Sequence, residues 1–189
     1  MATGKGQRIG IWIITVVLVV GTLGGFAAMV LQPSNDKIDQ ESQQKAYEEY
    51  IKQQEESNKA RLASSKPLDG FTSGSFDKSS ITELKVEVLK EGDGAAITAD
   101  STVTVNYFGW TSDGIIFDSS NQAGVVNSFT MTPTQNIIAG WKQGLNGIRA
   151  GSIVKLSIPA DLAYGSAGSP PAIGPNEPLQ FIMQVVSVE

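Results

Sequence analysis

Gln135-Asn136-Ile137-Ile138-Ala139-Gly140-Trp141-Lys142-Gln143-Gly144-Leu145 is the stretch on which the reading of this 189-residue chain turns. Ile138, Trp141 and Leu145 fall at i, i+3 and i+7, so a short helix puts all three on one face. Pro133 lies just upstream and glycines flank the tryptophan at Gly140 and Gly144, so the helix cannot be long. A tryptophan at the start of a short helix offers a broad apolar surface, which either fills a core or floors a pocket.

Outward from this helix the pattern changes to period two. Leu84, Val86 and Val88 alternate with Lys85 and Glu87, and Glu91-Gly92-Asp93-Gly94 supplies a turn. Val103, Val105 and Tyr107 alternate with Thr104 and Asn106. Val154, Leu156 and Ile158 alternate with Lys155 and Ser157 until Pro159 ends the run, and Phe181, Met183 and Val185 close the chain. Amphipathic strands with one short helix predict an α+β domain: an antiparallel sheet curled over the helix, its far side in water.

Composition removes several chemistries. The chain has no cysteine and no histidine, which excludes disulfides, thiolate metal sites and Ser-His-Asp or Cys-His catalysis. Residues 67–189 carry twelve acids against six bases, which argues against nucleic acid as a partner. A carboxylate hydrolase on Asp113 or Asp161 would need a paired acid or base, and neither residue has one in sequence.

Upstream lie three further segments. Residues 1–8 include Lys5 and Arg8. Residues 9–31 contain no charge, and as a helix they would reach about 34 Å, enough for a bilayer core. The run is too long for the h-region of a cleaved signal peptide. The positive-inside bias puts the N-terminus in the cytoplasm and the rest outside. Residues 32–66 are rich in Gln, Glu, Lys and Ala without a sustained heptad, a polar helical stalk whose charges read as a solvated face. Residues 67–80, rich in Gly, Ser, Asp and Thr, read as a linker to a domain over 81–189.

The aromatic residues of that domain sit in distinctive surroundings. Val105-Asn106-Tyr107-Phe108-Gly109, Phe117-Asp118-Ser119-Ser120, Ile138-Ala139-Gly140-Trp141-Lys142-Gln143-Gly144-Leu145, Leu162-Ala163-Tyr164-Gly165 and Pro175-Asn176-Glu177-Pro178-Leu179-Gln180-Phe181 occur in that order. Over residues 81–189 the chain resembles FKBP-type peptidyl-prolyl cis-trans isomerases. The resemblance implies a strongly bent antiparallel sheet wrapped around one short helix. It implies a pocket floored by Trp141 and walled by Tyr107, Phe117, Phe129, Ile137, Ile138, Tyr164 and Phe181, with Ile173 the one bulky residue of the neighbouring loop. The Ile138 backbone N–H and the Tyr164 hydroxyl would hydrogen-bond ligand carbonyls, and Asp118 would stand within reach of the Tyr107 hydroxyl. Tyr107, Asp118 and Tyr164 form the expected catalytic set, with no cofactor and no metal.

The implied activity is acceleration of X-Pro isomerisation in proteins folding outside the cytoplasmic membrane, with proline-containing polypeptides as substrates and macrolides as inhibitors. The alternative is a chaperone or scaffold that holds proline segments with little turnover. Asn127 stands where the family carries a second pocket aromatic, Ser169 replaces a loop histidine, and Gly174 replaces a proline. Asn121–Ser128 contains no arginine, so Asp118 is expected to lack its usual cation and to have a raised pKa.

Overall fold

A computed structural model describes the backbone of residues 37–189 and the side chains of residues 44–189. The span expected over residues 9–31 lies outside them; among the described residues no helix is long and apolar enough to cross a membrane. Two compact units divide the chain, Met1–Lys59 and Ala60–Glu189. Helix α1 (Lys37–Ser64) begins in the first and ends in the second. From Gln44 to Lys59 nearly all its side chains are exposed, as a helix built from Gln, Glu and Lys should be.

In the second unit the alternating run from Val103 becomes strand β3 (Val103–Trp110), the centre of a fully antiparallel sheet. Its neighbours are fixed by register. β9 (Leu179–Val188) pairs with it from Val103↔Val188 to Trp110↔Gln180. On its other edge β7 (Phe129–Met131) takes the first half and β4 (Ile116–Ser119) the second. β8 (Ile153–Ile158) pairs with β9, and β2 (Lys85–Lys90) pairs with β8 to close the order β2-β8-β9-β3-β4. Between β4 and β7 the chain leaves the sheet as a flap. There β5 (Asn121–Gln122) and β6 (Val125–Val126) form a hairpin, and β1 (Ser65–Lys66), directly after α1, adds to β5.

Helix α2 (Ala139–Leu145) is one residue short of two and a quarter turns and lies against the concave face. Gly140 allows the approach: a Cβ there would lie 2.3 Å from Ile158 Cγ2. Tyr107, Leu156, Phe181 and Met183 come from that face, in registered pairs Tyr107↔Met183 and Leu156↔Phe181, and all are buried.

Three expectations are corrected. The far side of the sheet is not uniformly wet, because Phe108, Trp110 and Ile182 point to the convex face and are buried there with Leu68. Nor is the segment 67–80 a linker. Leu68, Phe71 and Phe76 pack on that convex face, the Trp110 indole N–H donates to the Gly74 carbonyl at 3.0 Å, and the Phe76 N–H donates to the Ser112 carbonyl at 2.9 Å. The compact unit therefore starts at Ala60, not at residue 81. Lastly, β2 forms as expected but its valines stay in water, Val86 and Val88 being 39% and 46% exposed. It is an edge strand bonded to β8 alone, on the rim of the face that α2 covers.

Candidate functional site

Five aromatic rings meet over α2. Trp141 is buried at the helix's first turn, with Tyr107 at 5.0 Å and Phe181 at 5.2 Å between ring centroids, both nearly perpendicular to it. Phe129 stands 6.1 Å from both Tyr107 and Trp141, and Phe117 lies 5.5 Å from Phe181 in the same edge-to-face manner. Such arrangements place the positive ring edge on a negative ring face and hold each plane in position. β3 and β9 deliver Tyr107 and Phe181 from adjacent rows, and Gly109 makes room: a Cβ there would fall 2.4 Å from Phe181 Cε1 and 2.7 Å from Phe117 Cζ. The indole nitrogen of Trp141 is buried without a hydrogen-bond partner.

Ile138 caps the helix from outside. Its carbonyl accepts from Trp141 N–H at 3.1 Å, while its own N–H precedes the first turn and has no intrahelical acceptor. Ile137 lines, with Trp141, Met131 and Leu145, an open cleft of about 600 Å³ that borders the tryptophan. Ile173 is buried in its own loop, exchanging backbone hydrogen bonds with Ser169 at 2.8 and 3.0 Å. Tyr164 lies just past the 3₁₀ turn that follows β8, partly buried and close enough to Asp118 and Arg61 to feel both charges.

Asp118 is where sequence and structure part. The expectation that it lacks a cation is corrected: Arg61 Nη1, in the last turn of α1, stands 3.0 Å from Oδ1. Oδ1 also accepts from Ser119 N–H at 2.9 Å, and Oδ2 accepts from the Tyr107 hydroxyl at 2.7 Å. Reading the stalk's charges as a solvated face therefore missed a residue of this site. The missed signal was the lone arginine of that segment, set one turn before the Ser64-Ser65-Lys66-Pro67 break.

Burial raises the Asp118 pKa, as expected, while Arg61, the Tyr107 hydroxyl and the Ser119 N–H pull it back. Burial also lifts Tyr107 well above its ordinary value, helped by the Asp118 charge. Tyr164 is pushed up to about 12 by burial and by Asp118, with Arg61 opposing. Both phenols are thus protonated donors at any ordinary pH. Both Asp118 oxygens carry partners, Oδ1 two and Oδ2 one.

The other carboxylates considered are turn or surface groups. Asp113 Oδ1 accepts from Thr111 Oγ1 at 2.5 Å and from Ile115 N–H at 3.2 Å, and Asp161 is exposed. Asn127 bonds locally, its Nδ2 to the Val125 carbonyl at 3.4 Å and its N–H to the Ser120 carbonyl at 2.8 Å. Among the described residues no cluster of acidic side chains could hold a metal ion.

A model of the family described as FKBP-type peptidyl-prolyl cis-trans isomerase matches residues 94–186. FkpA of Escherichia coli, named as an isomerase of that type, is 33% identical over 189 aligned positions that cover 97% of this chain and 67% of FkpA. The chain belongs to the FKBP family. The peptidyl-prolyl cis-trans isomerase Mip of Coxiella burnetii is 40% identical to this FKBP chain over 106 residues, 56% of this chain and 45% of Mip. A protein of Legionella longbeachae named outer membrane protein MIP is 39% identical over 127 residues, 64% of this chain and 52% of that one. The FKBP chain thus spans about half the length of the Mip relatives.

Proposed function

We propose that this FKBP domain catalyses cis–trans isomerisation of X-Pro bonds in polypeptides, without a covalent step. The observation that carries the reading is the enclosure of Trp141 by Tyr107, Phe129 and Phe181 beside a carboxylate that holds the Tyr107 hydroxyl and pairs with Arg61. The peptide C–N bond resists rotation by about 18–20 kcal/mol because of amide resonance. Resonance also loads the carbonyl oxygen with negative charge that water stabilises. A dry aromatic pocket withholds that solvation from the planar amide, while the twisted transition state has less charge to lose. Trp141 would floor the proline ring, with Phe117, Phe129, Phe181, Ile137, Ile138 and Ile173 as walls. The Ile138 N–H and the Tyr164 hydroxyl would fix the flanking carbonyls, and Asp118 would hold the Tyr107 ring.

The substrates on this reading are proteins folding outside the cytoplasmic membrane, where X-Pro isomerisation is slow without help. Ile9–Leu31 would anchor the chain with Lys5 and Arg8 on the cytoplasmic side. Resistance of the full chain to alkaline extraction from membranes tests the anchor, and loss of resistance when 9–31 is deleted completes that test.

Exchange NMR on an Ala-Leu-Pro-Phe peptide with the full chain tests the activity. Accelerated exchange, suppressed by rapamycin, supports catalysis in this pocket. Binding without acceleration would support the second reading, a proline-segment holder. That reading has its own observation: Val125 and Val126, 62% and 48% exposed, directly precede Asn127 on the flap.

A further inference from the structure

We propose that Arg61, contributed by the last turn of α1, is a positioning residue of the isomerase site, acting on Tyr107 through Asp118. The inference rests on the pocket reading above and extends the machinery to a segment upstream of the region that the family model matches.

The geometry makes a relay of three side chains from three elements. Arg61 of α1 holds Asp118 Oδ1, and Asp118 of β4 holds the Tyr107 hydroxyl of β3 through Oδ2. Oδ1 is held by Arg61 and by the Ser119 N–H while Oδ2 meets the phenol, so the Arg61 contact, with Ser119, sets the plane in which Oδ2 meets the phenol. The Tyr107 ring in turn packs on Trp141 at 5.0 Å. A rotation of Asp118 is transmitted to the pocket wall.

The arginine is not an outlying side chain reaching in by chance, because its backbone is fastened to the flap that follows Asp118. The Ser64 and Ser65 hydroxyls both donate to the Arg61 carbonyl, at 3.0 and 2.9 Å, and so fix the end of the helix. The Ser64 carbonyl accepts from Ala123 N–H at 2.8 Å, and Ser65 and Lys66 pair with Gln122 and Asn121. The Lys66 carbonyl accepts from Ser119 Oγ at 2.6 Å, and the Pro67 carbonyl from Asn121 Nδ2 at 2.9 Å. The residue next to Asp118 is therefore bonded to β1, the strand that directly follows the helix carrying Arg61.

Charge makes the arrangement consequential. The groups facing Asp118 are Arg61 from α1, Tyr107 from β3, Tyr164 from the turn after β8, and the Ser119 N–H; Arg61 is the one cation among them. Without it, burial would drive Asp118 toward its neutral form as pH falls, and the phenol would lose an ionised acceptor. Loss of Arg61 is thus expected in turnover and in its pH dependence, not in fold alone.

The test uses the full chain with Arg61→Met, Arg61→Gln and Arg61→Lys, with Phe117→Ala as the pocket control, followed by exchange NMR from pH 5 to pH 8. Arg61→Met should lower kcat/KM at neutral pH about tenfold, the scale of one charge-assisted hydrogen bond. It should also move the acid limb of activity up by about one pH unit, while Arg61→Lys restores most of both. Arg61→Gln gives the same reading should the Met variant not fold. In an Asp118→Asn background, Arg61→Met should add nothing, as a relay through Asp118 requires. If kcat/KM and the pH profile of Arg61→Met and Arg61→Gln match the parent while Phe117→Ala abolishes turnover, the Arg61 inference is wrong and the pocket stands. If Phe117→Ala leaves turnover intact, the pocket reading is wrong and the relay falls with it.

Discussion

The two faces of the sheet are built from the same strands, yet they were unequally legible and do different work. On the concave face, Tyr107, Phe181, Leu156 and Met183 sit at alternate positions and meet a helix announced by its own local motif. On the convex face, Phe108, Trp110 and Ile182 occupy the intervening positions and meet Leu68, Phe71 and Phe76, which lie in a stretch that reads as a linker. The first face carries a pocket and the second carries a strap. The difference teaches that a period-two pattern specifies which residues share a face, but not whether a distant segment covers the other one.

The sharpest way to break this comparison is to remove one large ring from each face. Phe117→Ala and Phe108→Ala each delete a buried ring, and each should cost about 3–5 kcal/mol of stability in denaturant unfolding. Only Phe117→Ala should collapse isomerisation; the folded fraction of Phe108→Ala should keep the parent's kcat/KM. Equal loss of turnover in both would mean the faces are not functionally separate.

Gly140→Ala probes the seat of the helix. Its Cβ would meet the branched Ile158 side chain at 2.3 Å, in a part of the core with no room to give. A loss of about 1–3 kcal/mol is expected from such overpacking, together with a raised KM as Trp141 shifts.

A smaller effect is expected from Glu177→Gln, which loosens the strap's last anchor. Glu177 is buried, pairs with Lys78 of the 3₁₀ turn Lys78–Ser80, and accepts from Ser112 N–H at 2.8 Å. Burial pushes its pKa up, but Lys78 and Ser112 outweigh burial and leave it below the usual glutamate value. A depressed carboxylate stabilises the fold above its unfolded pKa and loses that contribution as pH falls through the folded value. The stability gap between parent and Glu177→Gln should therefore be full at neutral pH and should narrow as pH falls below the ordinary glutamate range, about 4.3, toward the lower folded value. A gap that does not narrow at all as pH falls would point to packing rather than charge. Amide exchange at Phe76 should quicken in the variant.

The smallest change is Val88→Thr. A valine this exposed on the edge strand contributes little, and a shift within about 0.5 kcal/mol is expected by thermal unfolding. A larger loss would mean that something covers β2.

How much was legible follows from which signals are local. The short helix, the β3, β8 and β9 runs and the aromatic set around Trp141 are encoded by spacing within ten or so residues, and the structure places them together. The strap left a trace that alternation arguments passed over. Tyr107-Phe108-Gly109-Trp110 and Phe181-Ile182-Met183 are unbroken by a polar residue, the mark of a strand covered on both sides.

By itself the sequence determined the strands, the helix at Trp141, the family, and the chemistry that the chain cannot do without histidine or cysteine. It did so because periodicity, glycine spacing and side-chain inventory are properties of neighbours. Only the tertiary structure decided that Arg61 neutralises Asp118 across 57 positions, and that residues 67–80 close the back of the sheet. Both depend on where the chain returns in space, and a buried carboxylate will take its counter-charge from whatever segment the fold brings within about 3–4 Å.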